Sequence, residues 1–375
     1  MEKIYTSLGL MSGTSMDGVD ASIIRSNGEN QYESIFDEYF EYDEALYKNL
    51  VSLRNKINSA NDIIINSKLI NDVEREITLF HGKISNKIIH ENASEIDLIG
   101  FHGHTIFHNA EQKISKQLGD GFLLSNLLKK DVIYNFRAND ISNGGQGAPL
   151  APIFHNLLIN KIQMRLPVCV INIGGIANIT IIRSDKNEDL KSYDIGPGNC
   201  LLDEWVRKHT NDRYDNRGKV ARVGKIDNII LNQAIENFDN IKTSNNLSFD
   251  VKDFDLSFVR GLSYEDGLST LTKFTSEIIY QSISKATKSN QNKKIDILVC
   301  GGGRKNLTLI ENIKKKLPNN ISLNLIDDYH TNGDFIESQA FAYLAIRSLL
   351  KKTISFANTT NVRKSCTGGI LVKNY

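Results

Sequence analysis

Two apolar strands joined by a glycine turn occur near the start of each half of this chain. The first copy is LGLMSGTSMDGVDASII, from Leu8, and the second is VCVINIGGIANITII, from Val168. Asp17-Gly18 in the first is a strong hairpin signal, and Gly174-Gly175 separates the two apolar runs of the second. A unit of this kind, used twice, predicts two related α/β domains facing one another across a cleft, a common place for a ligand.

The segments between these hairpins fit that plan. Residues 60–90 predict a helix, because Ile65, Leu69, Val73 and Ile77 recur every four residues among polar ones. IDLIGFHGHT (96–105), DVIYNF (131–136) and IDILVC (295–300) predict buried strands. Residues 270–286 and ESQAFAYLAIRSLL (337–350) predict helices. The glycine-rich loop NGGQGAP (143–149) predicts a domain boundary. The expected division is therefore domain I over 1–138 with about 355–375, and domain II over 139–354.

At 375 residues such a chain can bury a core without disulfide or metal staples. Its 45 basic and 44 acidic side chains leave a net charge of +1, so composition gives no footprint for nucleic acid. Cys169, Cys200, Cys300 and Cys366 stand far apart with no C-x-x-C pair, which reads as isolated thiols in a reducing compartment. No signal-peptide core and no run of 18 apolar residues is present, so the expected location is the cytoplasm with no membrane partner.

Three glycine turns carry the chemical signal: Gly13 to Gly18, Gly174-Gly175, and Gly301-Gly302-Gly303. Backbone N–H groups in such turns can converge on phosphate oxygens. None of the three is a Walker A loop or a G-x-G-x-x-G fingerprint. A second constellation, His102, His104 and His108, has the H-x-H pattern of a strand-end metal site and leaves a metal-dependent hydrolase open as a rival enzyme class. A nucleotide switch without sugar chemistry remains open as a third reading.

GLMSGTSMDGVDA, FHGHTIFH, NGGQGAPLAP, NIGGIANIT, DIGPGNCLLD, CGGGRKN and ESQAFAYLA occur in an order that resembles the anhydro-N-acetylmuramic acid kinase family, from about Leu8 to Gly369. The resemblance implies two actin-like (ribonuclease H-like) domains around a nucleotide and sugar cleft. It implies an ATP- and Mg²⁺-dependent kinase, a homodimer, that opens the ring of 1,6-anhydro-N-acetylmuramic acid and phosphorylates O6 in cell-wall recycling. By that resemblance Asp194 is the catalytic base, although an Asp ahead of Gly-Pro-Gly also serves as a turn cap. Gly13, Thr14, Ser15, Met16, Asp17, Gly18, Val19 and Asp20 would bind the ATP phosphates. Gly174 and Gly175 would form a second phosphate turn, and Gly301, Gly302 and Gly303 would approach the nucleoside. Asp17 and Asp20 would orient Mg²⁺ through water. His102, Thr105, Arg137, Asp140 and Glu337 would contact the sugar, with Arg137 gripping its lactyl carboxylate. The chain departs from the family's pattern at His104, where Gln is usual, at Ile195, where Thr is usual, and through IKTSNNLSFDVKDF (241–254).

Overall fold

The computed structural model of the protein describes residues 3–92, 95–244, 248–288 and 293–374. In chain order the strands are β1 (Tyr5–Ser12), β2 (Gly18–Ser26), β3 (Tyr32–Glu41), β4 (Leu98–Asn109), β5 (Ile114–Leu118), β6 (Asp131–Tyr134), β7 (Val168–Ile173), β8 (Ile176–Ile182), β9 (Lys191–Pro197), β10 (Ile295–Cys300), β11 (Ile321–Leu325) and β12 (Ile370–Val372). The helices that matter below are α1 (Glu44–Lys56), α2 (Ala60–Ile65), α3 (Ser67–Glu91), α4 (Gly121–Leu128), α5 (Ala138–Ser142), α6 (Pro152–Lys161), α7 (Cys200–His209), and, further on, α8 (Tyr264–Thr287) and α9 (Ile336–Leu349).

The chain divides into two compact units. Unit 1 comprises residues 1–163, 185–191 and 334–375; unit 2 comprises 164–184 and 192–333. The sheet of unit 1 runs β12-β6-β4-β1-β2-β3, with β5 paired to β4; that of unit 2 runs β11-β10-β7-β8-β9. In each unit a leading strand pairs antiparallel with its hairpin partner and parallel with a later strand: β1 with β2 and β4, β7 with β8 and β10. The same order, 3-2-1-4-5, therefore appears twice. It is the doubled α/β architecture of the actin-like fold, built on the two hairpins visible in the sequence.

The division falls elsewhere than the NGGQGAP loop. That loop, with α5, α6 and α9, lies inside unit 1, so the expected domain II loses 139–163, 185–191 and 334–354. Two causes are evident. Asp140 ties the loop down: its carboxylate accepts from the Gly147 N–H at 2.6 Å and from Thr360 Oγ1 at 2.5 Å. Helix α9 packs on β1, β2 and β4, and the carbonyl oxygens of Ser338 and Phe341 occupy the places where Gly9 and Gly100 would carry a β-carbon. Small residues Ser338, Ala342 and Ala345 recur on that face at helical spacing.

The long helix expected over 60–90 is two helices. Asn66 breaks it, with its backbone N–H and side-chain amide both donating to the Asp62 carbonyl. Ile65 is consequently left exposed, while Val73, Ile77, Ile84 and Ile88 of α3 enter the core. In unit 2, α8 and α7 touch where Gly267 lies against the Trp205 indole, and Trp205 Nε1 donates to the Tyr264 carbonyl at 2.9 Å.

Gly9→Val should drive α9 off the sheet, because the obstacle is helix backbone that cannot rotate away. The expected loss is about 3 kcal/mol. Urea unfolding followed by circular dichroism would measure it, with Trp205 fluorescence, the single tryptophan, reading unit 2 separately.

Candidate active site

In unit 2 the glycine turns are held by one another. Gly174 donates its N–H to the Ile176 carbonyl at 3.2 Å to close the β7–β8 hairpin. The DIGPGN turn then packs directly on it: Asn199 N–H donates to the Gly174 carbonyl at 2.8 Å, and Gly198 N–H donates to that of Gly175 at 2.9 Å. Glycine is obligatory at 198, because a β-carbon there would overlap the Gly174 carbonyl. The third turn joins through Gly301, which has φ +79° and donates to the Gly333 carbonyl at 2.9 Å. Gly303 sits against the Ile173 side chain and Asn199 Oδ1.

Asp194 stands in β9, immediately before this assembly, and its Oδ2 accepts the Phe249 N–H at 3.0 Å. Ile195, the next residue along the strand, is fully buried in the core of unit 2. Strand alternation sends neighbouring side chains to opposite faces, so Ile195 acts as core filling and does not share the face of Asp194. Residues 245–247, within the altered stretch 241–254, lie outside the described residues.

Three of the glycines are not explained by the chain's own packing. A β-carbon on Gly13, Gly174 or Gly302 would find its nearest neighbour at 3.8, 3.5 and 3.9 Å, ordinary contact distances. Each of these positions could carry a side chain without a clash, so glycine there is not required by the chain's own packing.

Arg304, which follows the third turn, is used internally. It is 4% exposed, donates through Nε and Nη2 to both oxygens of Asp327 at 2.6 and 2.8 Å, and reaches the Gly301 carbonyl through Nη1. Burial would raise the Asp327 carboxyl; the Arg304 guanidinium outweighs it and holds the group below the usual carboxylate range. The pair ties the Gly301 turn to the 326–333 loop.

In unit 1 the first glycine turn is closed by the Met16 N–H, which donates to the Gly13 carbonyl at 3.2 Å, with Met16 in the left-handed region at φ +60°. Ser15 Oγ donates to Asp17 Oδ1 at 2.5 Å. Beneath the turn, Tyr42 donates its backbone N–H to the Asp17 carbonyl and its hydroxyl to Ser12 Oγ, at 2.8 and 2.9 Å. Ser12 Oγ lies 3.3 Å from His104 Nδ1. Thr14 and Ser15 stand in the open part of this turn, and Gly18, Val19 and Asp20 begin β2. His104 is thus an interior support of the turn. Burial, then the Arg54 charge, pushes its imidazole down to about 3.

His102, Arg137 and Glu337 come together. Arg137 Nη2 lies 3.0 Å from His102 Nε2, and Nη1 donates to the Gly147 carbonyl at 2.7 Å. Burial pushes the half-buried Glu337 carboxyl up, against the opposing pull of the Arg137 guanidinium. Three residues expected at the sugar are engaged within the chain: both ring nitrogens of His102 are taken, by Arg137 and by the Gly103 carbonyl. Asp140 is 1% exposed and is taken up by Gly147 and Thr360. Thr105 receives Gln117 Nε2 on its hydroxyl and Arg54 on its carbonyl, each at 3.3 Å. The metal reading of His102, His104 and His108 fails, because a guanidinium occupies the His102 ring nitrogen and no group of three His, Cys, Asp or Glu is arranged to hold a metal ion among the described residues. No helix among the described residues is long and apolar enough to cross a membrane. Sequence reasoning gave no role to Ser12, Tyr42 or Asn199; Ser12 and Asn199 carried a signal, within GLMSGTSMDGVDA and DIGPGN, and Tyr42 carried none.

A family model described as anhydro-N-acetylmuramic acid kinase matches residues 5–374. The chain belongs to the anhydro-N-acetylmuramic acid kinase family. It is 69% identical over 375 residues, all of both chains, to the anhydro-N-acetylmuramic acid kinase of Pelagibacter ubique (strain HTCC1062). It is 37% identical to that of Zymomonas mobilis subsp. mobilis, over 96% of this chain and 98% of the relative. Among solved structures, the activator of the 2-hydroxyisocaproyl-CoA dehydratase from Clostridium difficile with bound ADPNP aligns over 91% of this chain and 94% of its own at TM-score 0.41 and 11% identity. As a kinase of this family, the protein is an enzyme and a transferase.

Buried histidines set its acid stability. Burial holds His81 and His155 to about 4 and His104 to about 3, against an ordinary value near 6.5. Below pH 6.5 the unfolded chain takes up protons that these folded imidazoles refuse, so stability is full above that pH and falls towards pH 4. Each of the three should remove on the order of 2 kcal/mol by pH 5. Urea midpoints at pH 7.5 and pH 5 would check this; equal midpoints would contradict it.

Proposed function

We propose that this protein uses ATP to phosphorylate O6 of 1,6-anhydro-N-acetylmuramic acid while water opens the anhydro ring, giving N-acetylmuramate 6-phosphate and ADP. The observation that carries the reading is the full-length, 69% identity to a kinase named for this sugar, beside Asp194 held in a backbone-anchored setting on β9. The product suits recycling of cell-wall sugar in the cytoplasm, by a homodimer.

The chemistry explains why a carboxylate is needed. In the anhydro sugar O6 is an ether oxygen bonded to C1, so an ordinary kinase base has no hydroxyl proton to remove. Water must add at C1; the C1–O6 bond breaks and its electron pair goes to O6, which bonds to the γ-phosphorus as ADP leaves. Asp194 takes the proton of the attacking water as general base. The Phe249 N–H on Oδ2 fixes the plane of that carboxylate. Phosphoryl transfer is mostly a matter of positioning and charge neutralisation. The turns at Gly13 to Gly18 and Gly174-Gly175 would supply backbone N–H groups for the phosphates, and Gly301 to Gly303 would let the nucleoside approach; in support, a β-carbon on Gly13, Gly174 or Gly302 would meet no clash from the chain's own atoms. Mg²⁺, which Asp17 and Asp20 would hold through water, would supply neutralising charge. Arg137 pairs with the lactyl carboxylate, and Glu337 takes hydrogen bonds from the sugar.

Asp194→Asn should lower kcat by 1000-fold or so while ATP binding stays within about twofold, since only the proton acceptor is lost. An ADP assay beside nucleotide titration measures both, and activity above a few per cent of wild type would overturn the assignment. In ¹⁸O-labelled water, product analysed promptly should carry label on the anomeric oxygen and none on phosphate. ADP release that ignores the sugar would instead favour a nucleotide switch.

A further inference from the structure

His102 is the extra residue of a β-bulge. Along the β1–β4 pairing Leu10 faces Phe101 and Met11 faces Gly103, so His102 has no partner on β1. Gly103 permits this, with φ +71° and the Leu118 carbonyl where a β-carbon would stand. Bulges re-aim a side chain, and they recur beside active sites. Here the ring is turned inward, 4% exposed, with its centroid 4.4 Å from that of Phe341 on α9.

Its two nitrogens have fixed roles. Nδ1 lies 2.9 Å from the Gly103 carbonyl, which can only accept, so Nδ1 carries the proton. Nε2 lies 3.0 Å from Arg137 Nη2, which can only donate, so Nε2 offers its lone pair. Burial, then the Arg137 charge, keeps the imidazole well below its ordinary value and therefore neutral, as this arrangement requires. Both nitrogens are spent inside the protein. The guanidinium is in turn held at two points, by the bulge through His102 and by the NGGQGAP loop through the Gly147 carbonyl.

We propose that His102 is a positioning residue: by accepting from Arg137 it fixes the guanidinium plane that meets the substrate's lactyl carboxylate, and so sets the preference for the acidic anhydro sugar over its neutral counterpart. This rests on the reading that Arg137 binds that carboxylate. A planar fork recognises a carboxylate through its orientation as well as its charge, so a guanidinium free to rotate loses much of the pairing.

The test compares full-length wild type, His102→Leu, His102→Gln and Arg137→Met on 1,6-anhydro-N-acetylmuramic acid and on 1,6-anhydro-N-acetylglucosamine, which lacks the lactyl group and is read as substrate or competitive inhibitor. His102→Leu should raise KM for the acidic sugar roughly tenfold or more, the scale of a lost charge-assisted hydrogen bond. It should leave KM for ATP and affinity for the neutral sugar within about twofold. His102→Gln, whose amide oxygen can accept in the place of Nε2, should restore most of the loss. Equal damage to both sugars, or none to either, overturns the proposal. If Arg137→Met also spares the acidic sugar, the reading of Arg137 has failed; if it alone raises that KM, only the role of His102 has. ¹⁵N spectra of histidine-labelled wild type need no variant of His102: they should show it neutral and protonated at Nδ1, and the opposite tautomer would refute the proposal.

Discussion

Helix α9 rests directly on sheet backbone at Gly9 and Gly100, and the organisation of unit 1 follows from that contact. Gly9 and Gly100 leave the sheet bare on two adjacent strands, and the carbonyls of Ser338 and Phe341 settle into the gaps. Close packing fixes the helix register, because interiors at crystal-like density cannot absorb a shift of a few ångströms. That register sets three side chains at once. Phe341 packs at a tilt against His102 and Phe136, Glu337 comes beside Arg137, and Gln339 donates to Asp37 on β3. A helix from the far end of the chain thus supplies part of the group around Arg137.

Unit 2 uses a different device. Two of its glycine segments bond to one another through backbone groups, with the N–H groups of Gly198, Asn199 and Cys200 satisfied by the Gly174 and Gly175 carbonyls, while the third is held through the Gly301 N–H on the Gly333 carbonyl. Main-chain bonds of this kind leave little rotational freedom, so a ligand meeting the turns would meet donors already oriented, with little ordering cost. Arg304 extends the frame by tying the Gly301 carbonyl to Asp327. Both units therefore spend buried charge on holding backbone in place: Asp140 on the NGGQGAP loop, Arg304 on the Gly301 turn.

Much of this was legible in the residues. The doubled hairpin predicted the doubled sheet order because apolar runs and glycine turns are local signals, set within a few residues. Motif order placed the chain in its family for the same reason. Side-chain partners were not legible. Asp140 and Thr105 looked available for a sugar, because their chemistry suits that ligand. Each side chain is satisfied by a group that composition does not reveal: Thr360 for Asp140 and Gln117 for Thr105. His104 and Ile195 likewise looked like changes at the site, whereas His104 supports a turn from within the core and Ile195 fills the opposite face of β9.

The sequence by itself determined the strands, the turns between them, the α/β class and the family, since each depends on short-range pattern. Tertiary structure alone decided where the units divide and which polar groups are spent. The division depends on α9 returning to β1 across more than three hundred residues, an approach that two isolated glycines permit and no periodicity announces. The use of each polar group depends on what burial brings beside it, because a buried donor or acceptor must find a partner wherever the fold supplies one.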